Sequence, residues 1–344
     1  MDIGLIRGIV VEVDTRSDEN DKVSGGKMTK IKVETAKGLR DALCYVNLLG
    51  QVKIGDEVVL NTTALDLELG SGGFDFVLVN LNNLPQELKG RGHIMKLRYT
   101  PLQLKVFSGE EKESILESIK TPVILSELHS MLLPAVFGVY SQDPRLKVGY
   151  IMTDGGALPI DYSKAVDFIK QSGYDFSTFT AGHAFGGDNE AVNIYSALAL
   201  AAKDCDVIIM GMGPGVVGTN SIYGTTAIEV GMGINAVFSL GGRAIVIPRI
   251  MIQDRRKRHQ GLSHHTITSL KKIALSEAEV VFVNPKWQSL DLSPHKIVIE
   301  RAPYLDYAAL PLKTMGRGFS EETEFFLTAA AAGSFAVKCY KEIG

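Results

Sequence analysis

Ala244–Leu270, AIVIPRIMIQDRRKRHQGLSHHTITSL, reads as three pieces in a row. Ala244–Pro248 is a short apolar run of the kind that fills a buried strand. Arg249–Leu262 is polar and rich in cations. From Ser263 onward Ile267, Leu270, Ile273 and Ala274 keep a helical spacing. Strand, polar loop and helix form the repeating unit of an α/β protein, and the loops at the carboxyl ends of its strands are where such proteins place ligands. One stretch therefore sets both the fold class and the place to look for a site.

The same stretch holds three of the seven histidines. Ser263 is placed as a helix N-cap, with His264 and His265 in the first turn. The free N–H groups and dipole of a helix start attract anions and disfavour imidazolium, so a histidine there is neutral and serves as a base or a metal ligand. Successive helical residues point about 100° apart, so only one of the two histidines is expected to face the site. Arg255, Arg256, Lys257 and Arg258 alone read as a solvated charge run. Beside the helix start, Arg255 and Arg256 become candidate anion clamps.

Working outward, Pro122 onward repeats strand then helix. Pro122–Leu125, Leu146–Thr153, Phe176–Ala181, Asp206–Met210, Ala244–Pro248, Val280–Val283 and Ile297–Ile299 read as strands. Helices are expected over Glu110–Ile119, after Pro134, over Tyr162–Gln171, from Asp188 or Asn189 to Ala202, over Thr225–Leu240, and over Glu321–Lys341. This alternation predicts a largely parallel sheet with helices on both faces. The first hundred residues differ. Ile3–Val13, Met28–Glu34, Leu39–Val46, Glu57–Asn61, Phe74–Asn80 and His93–Arg98 read as short strands. Glycine turns such as Gly25-Gly26 and Gly70 to Gly73 separate them, with a polar loop over Asp14–Lys22. They predict a small all-β, barrel-like module. The division expected is 1–105 for this module and 106–344 for the α/β domain.

The 344 residues are 45% hydrophobic and 22% charged with a formal net charge of -3, which argues against a globally basic nucleic-acid binder. Cys44, Cys205 and Cys339 are isolated, which fits a reducing cytoplasm rather than a disulfide framework. No signal peptide or membrane span is read.

The unusual polar residues fall in the strand-to-helix loops: His129, Asp154, His183, Asp188, the glycines around Gly213, Gly215 and Gly218 with Thr219, and the Asp254–His265 block. His129, Asp154, His183, Asp188 and His264 are expected to line one cleft. His264, His265, Asp154, His183 and Asp188 are the catalytic candidates. Gly213, Gly215, Gly218, Thr219, Arg255, Arg256 and Ser263 are the anion-binding candidates. His129, His183 and Asp188 could hold a divalent metal only by converging from separate loops, and a carboxylate-rich set would favour magnesium. Gly213-x-Gly215-x-x-Gly218 matches the dinucleotide fingerprint only formally, because Pro214 lies inside it and no acidic residue stands at the ribose distance. Gly-Lys-Ser/Thr and Gly-x-Ser-x-Gly are both missing, which removes a Walker loop and a hydrolase elbow.

GHIMKLRYTP, LHSMLLP, YIMTDGGALP, TAGHAFGGDNEAVN, GMGPGVVGT, GGRAIVIPRI and RHQGLSHHT together resemble a bacterial family of unknown function. The resemblance covers nearly the whole chain and implies a bacterial cytoplasmic protein. It carries no activity and no residue roles.

The function expected from the residues is an enzyme acting on a small anionic substrate, phosphorylated ones included, by acid–base or metal-assisted hydrolysis or group transfer. The second reading is a nucleotide or nucleic-acid binding module built on the barrel and the Arg255–Arg258 patch. A homo-oligomer is compatible with either.

Overall fold

The computed structural model describes residues 2–14, 28–69, 72–84, 87–88 and 90–343. The Gly25-Gly26 turn, Gly70 and Ser71, and the Asp14–Lys22 loop beyond Asp14 lie outside the described residues. The chain divides into two compact units, Met1–Gly90 and Arg91–Gly344.

The first unit is a closed barrel of β1 (Leu5–Val13), β2 (Met28–Thr35), β3 (Gly38–Tyr45), β4 (Glu57–Asn61) and β5 (Asp75–Asn80), in the order β1-β2-β3-β5-β4. β3 and β5 pair in parallel and the other neighbours pair antiparallel. Alternate residues turn inward, so Val10, Ile31, Val33, Ala42, Cys44, Val58, Leu60 and Val77 fill the interior. Closure gives each of the five strands a neighbour on both sides, with the β3–β5 seam limited to Ala42–Asp75 and Leu43–Phe76. Two single-turn helices, Val46–Leu49 and Thr63–Asp66, interrupt a region read as strand and turn only.

The second unit opens with a hairpin, β6 (Ile94–Lys96) and β7 (Leu104–Val106), which the sequence reading grouped with the barrel. Lys96 ties this hairpin into the second unit. Its buried Nζ donates to the carbonyls of Thr180 (2.9 Å) and Ala184 (2.6 Å) and to Glu190 Oε2 (2.6 Å). A buried ammonium requires such a set of acceptors. The helix expected over Glu110–Ile119 is only one turn, Gly109–Lys112, because Glu111 folds back into a capping box with Ser108 and Glu113 is extended.

The sheet contains β8 (Pro122–Ser126), β9 (Val148–Thr153), β10 (Phe176–Ala181), β11 (Asn189–Ala191), β12 (Val207–Met212), β13 (Arg243–Ile247), β16 (Glu279–Phe282) and β17 (Lys296–Ile299). Their order is β11-β10-β9-β12-β8-β13-β16-β17, and every pairing is parallel. Alternation sends Ile124, Tyr150, Ile209 and Ile245 into one core with the helices Leu132–Tyr140 and Thr323–Lys341. Val123, Ile151, Ile208 and Val246 enter the other core with the helices Ile194–Asp204 and Glu229–Ser239. The helix expected from Asp188 begins at Ile194. Asn193 is its cap, accepting from Tyr195 N and Ser196 N, and Asn189–Ala191 is spent on edge strand β11.

The path of the chain matters for the site. It builds outward to β11, returns through β12, and crosses β8 to β13. The carboxyl ends of β12, β8 and β13 therefore stand side by side where the strand order reverses, the position at which open α/β sheets bind ligands.

Candidate metal centre

Beyond β13 the chain forms a closed arch. β14 (Ile250–Met251) pairs antiparallel with β15 (Gly261–Leu262), fixing the two feet of the loop between them. Asp254 braces the arch from inside. Its carboxylate accepts from Arg256 N (2.9 Å), Nε (2.9 Å) and Nη2 (2.8 Å) and lies 3.4 Å from Arg249 Nη2. Those guanidinium contacts hold its carboxyl well below the usual range. His259 closes a short turn, Lys257–His259, at the far side of the arch. Ser263 caps the helix His264–Thr268, its Oγ accepting from His265 N at 3.2 Å.

This local folding brings His259, His264 and His265 together. One ring nitrogen from each lies within 4.8 Å of the others. Ring centroids are 4.2 Å apart for His264 and His265, 4.7 Å for His259 and His265, and 5.4 Å for His259 and His264. Both adjacent histidines thus turn to one point, against the expectation that only one does. They stand at the loop–helix junction, the first two positions after the Ser263 cap.

His259 and His265 are buried and His264 is half-buried, yet the Nε2 of all three lacks a hydrogen-bond partner. An orphaned buried nitrogen costs about 1–3 kcal/mol, so three of them on three adjacent rings is an arrangement that calls for a ligand. The opposite nitrogens of two rings are anchored. His259 Nδ1 meets Ser263 Oγ at 2.9 Å and His265 Nδ1 meets Thr225 Oγ1 at 3.3 Å. One nitrogen fixed by an outer partner and the other free is the arrangement of metal-binding histidines.

Burial, with the charges of Arg249 and Arg256, pushes His259 down to about 3. Burial, His264 and Arg249 push His265 down to about 4, the Thr219 backbone acting the other way. Burial and then Arg258 lower His264. The three rings are neutral at neutral pH, the form that coordinates a metal. Three imidazole donors suit zinc; the hard, oxygen-ligated magnesium site expected of a carboxylate-rich set does not match them.

The glycine loop after β12 passes against this cluster, but its glycines provide close approach. A Cβ on Gly218 would stand 2.4 Å from His265 Cε1, and one on Gly213 would stand 2.9 Å from Met152 Sδ. Gly215 has a φ of +109°. Thr219 N and Oγ1 both donate to Gly224 O, at 2.7 and 3.0 Å, so these donors close a turn. Arg255 is exposed, and Arg256 is engaged by Asp254. The expected clamp of Arg255, Arg256 and the glycine loop therefore does not assemble at this point.

The metal set expected from His129, His183 and Asp188 is not brought together: their donor atoms form no converging group among the described residues. His129 Nε2 meets Ser163 Oγ at 2.7 Å and its Nδ1 meets Tyr150 Oη at 3.1 Å. His183 Nδ1 accepts from Leu97 N at 3.0 Å. Asp188 pairs with Lys170 (2.7 Å) and accepts from Thr178 N (3.0 Å) and Oγ1 (2.7 Å), pinning β10 to the loop. Among the described residues, His259, His264 and His265 form the one metal-competent cluster. Asp154 and His183 do come together, His183 N donating to Asp154 Oδ2 at 3.2 Å.

The sequence reading missed His259, Glu127 and Glu229. His259 carried a signal, since HxxxxHH puts three imidazoles within seven residues. Glu127, at the end of β8, had none. It is buried, accepts from Thr266 Oγ1 at 2.5 Å and lies 3.6 Å from Arg249 Nη1. Glu229 accepts from Thr153 Oγ1 at 2.5 Å. Both carboxyls line a cavity of about 10 Å³, roughly the space of one water, and burial raises the pKa of each.

Three histidines gathered beside a parallel sheet define a class, an α/β protein with a candidate histidine metal centre at its switch point. The chain belongs to the family described as a protein of unknown function, DUF3866, whose model matches residues 41–333. No curated protein and no solved structure matches the chain. No helix among the described residues is long and apolar enough to cross a membrane.

Proposed function

We propose that His259, His264 and His265 hold one zinc ion and that the protein is a metal-dependent enzyme of hydrolysis or group transfer. The observation that carries this reading is that His259, His264 and His265 each offer a ring nitrogen within 4.8 Å of the others and each has a buried Nε2 without a hydrogen-bond partner. Three protein ligands with an open position is the pattern of a catalytic rather than a structural zinc site. An ion so held supplies Lewis acidity and an activated water near neutral pH. The chain's own groups do the rest. Ser263 and Thr225 orient the rings of His259 and His265, and the Thr266–Glu127–Arg249 contacts hold the helix start that carries His264 and His265. Three separate, buried cysteines, each with its thiol pushed up to about 12 by burial, support a reducing compartment and chemistry that does not use a thiolate.

Elemental analysis and native mass spectrometry of the purified protein test the metal reading. The expected result is close to one zinc per chain, lost in His259→Ala and His265→Ala variants that remain folded. Wild-type protein that purifies metal-free and takes up neither zinc nor cobalt at micromolar concentration overturns it. Release of nitrophenol from nitrophenyl acetate or nitrophenyl phosphate, abolished by a chelator and restored by zinc, tests the catalytic part.

A further inference from the structure

The buried and half-buried arginines around the centre fall into two groups. Arg249 lies between Glu127 at 3.6 Å and Asp254 at 3.4 Å. Arg256 makes its paired contact with Asp254, and Arg317 donates to Glu322 at 2.8 Å while lying 3.7 Å from Asp254. Three guanidinium groups thus meet three carboxylates. Arg258 is different. Among the described residues it has no carboxylate partner. Its Nη1 reaches Asn220 Oδ1 at 3.4 Å, and its Nε is buried without a hydrogen-bond partner. It immediately precedes His259 in the chain, and its charge acts on both His264 and His265.

We infer that Arg258 is the residue that holds an oxyanion of the substrate, a phosphate or carboxylate group, beside the metal of the His259–His264–His265 centre. The inference rests on the metal-centre reading above. An imidazole ligand brings no negative charge, so three of them leave the charge of a divalent ion uncompensated, and Arg258, next to His259 in the chain, adds a further positive charge. Among partly buried groups such a field selects an anion. The fork geometry agrees. With Nη1 directed to Asn220, the edge left to Arg258 is Nε–Nη2, and a guanidinium edge takes two oxygens of one planar or tetrahedral oxyanion. A buried Nε with no acceptor is completed by that oxygen. This assigns to Arg258 the role that the sequence suggested for Arg255 and Arg256.

The test uses the full-length protein loaded with cobalt(II), whose visible spectrum reports on the ligand shell, and inorganic phosphate as the probe. Cobalt affinity is measured separately by competition with a chromophoric chelator. Phosphate at millimolar concentration is expected to shift the cobalt bands of the wild type. Arg258→Gln is expected to weaken phosphate binding by about ten- to a hundredfold, the range of a charge-assisted hydrogen bond, while cobalt affinity changes less than about threefold. Arg258→Lys, which keeps charge without the fork, is expected to recover part of the loss and serves as the readout should Arg258→Gln fold poorly. Equal phosphate binding by wild type and both variants, or no response of the cobalt-loaded wild type to phosphate, overturns the assignment while leaving the metal centre intact. Failure of the wild type to take up cobalt removes the metal-centre reading and this inference with it.

Discussion

Gly218 presents bare backbone to the His265 imidazole, so closely that a Cβ there would stand 2.4 Å from Cε1 and 3.2 Å from Nε2. Gly218 lies in the loop after β12 and His265 in the helix after β13, so two separate strand ends share this contact. Gly218→Ala should push the ring out of the cluster, since its φ lies outside the left-handed region and the steric contact is the main change. Metal affinity should fall by about ten- to a hundredfold, as for loss of an outer-shell support. Stability should fall by about 1–3 kcal/mol. Competition with a chromophoric chelator and chemical denaturation separate the two effects. Unchanged affinity would show that His265 is not a ligand.

Ser263 serves two purposes with one oxygen. Its Oγ accepts from His265 N at 3.2 Å and meets His259 Nδ1 at 2.9 Å. Ser263→Ala should cost about 1 kcal/mol as a lost cap. It should also free the His259 ring and weaken zinc binding by about tenfold or more. Ser263→Thr, which keeps the hydroxyl, should restore much of the affinity. A purely capping role would lower the melting temperature and leave zinc affinity where it was.

The helices Leu132–Tyr140 and Thr323–Lys341 cross at backbone contact. A Cβ on Gly333 would stand 2.1 Å from Ala135 O, and one on Gly138 would stand 2.1 Å from Ala330 O. The obstructing atoms are backbone, which has no rotamer to yield. Gly333→Ala should therefore destabilise by about 3 kcal/mol or more, despite the higher helix propensity of alanine. Denaturant titration checks the size, and zinc stoichiometry of the folded fraction should remain that of the wild type.

Much of the α/β unit was legible because its signals are local. Val207–Met210 and Ala244–Ile247 are buried on both faces, so they read as continuous apolar runs, and glycine or a cap residue marks many of the turns. The single-turn helix at Gly109–Lys112 was overread because Glu110–Ile119 carries helix-forming residues whose fate depends on what packs against them. The ligand cluster was half legible. Ser263, His264 and His265 stood out at a helix start, whereas the place of His259 depends on the β14–β15 pairing and on Asp254 inside the arch, which no spacing rule records. His129 and Asp188 misled for the opposite reason. Loop position suggested a cleft, but their orientation is set by partners 21 and 10 residues away in the chain, Tyr150 and Thr178.

His129 gives a pH signature that is separable from the metal. Burial lowers its pKa from 6.5 to about 4, with the Met212 backbone acting the other way. In the unfolded chain the ring gains its proton near pH 6.5, and in the folded protein it does so only near pH 4. Between those values the unfolded state binds more protons, so stability is full above the unfolded pKa and falls as pH drops through the window. The slope should approach about 1.4 kcal/mol per pH unit for one proton. The buried Glu127 and Glu229 carboxyls, with raised pKa values, contribute in the opposite sense, but they remain in both proteins when wild type is compared with His129→Gln. The variant should be less stable at pH 7, having lost the contacts to Tyr150 and Ser163, and its stability should fall less steeply between pH 6.5 and pH 4. Denaturant unfolding of both proteins at four or five pH values across the window measures the difference. Parallel curves would mean that His129 titrates alike in the folded and unfolded states, and its burial would then have no electrostatic consequence.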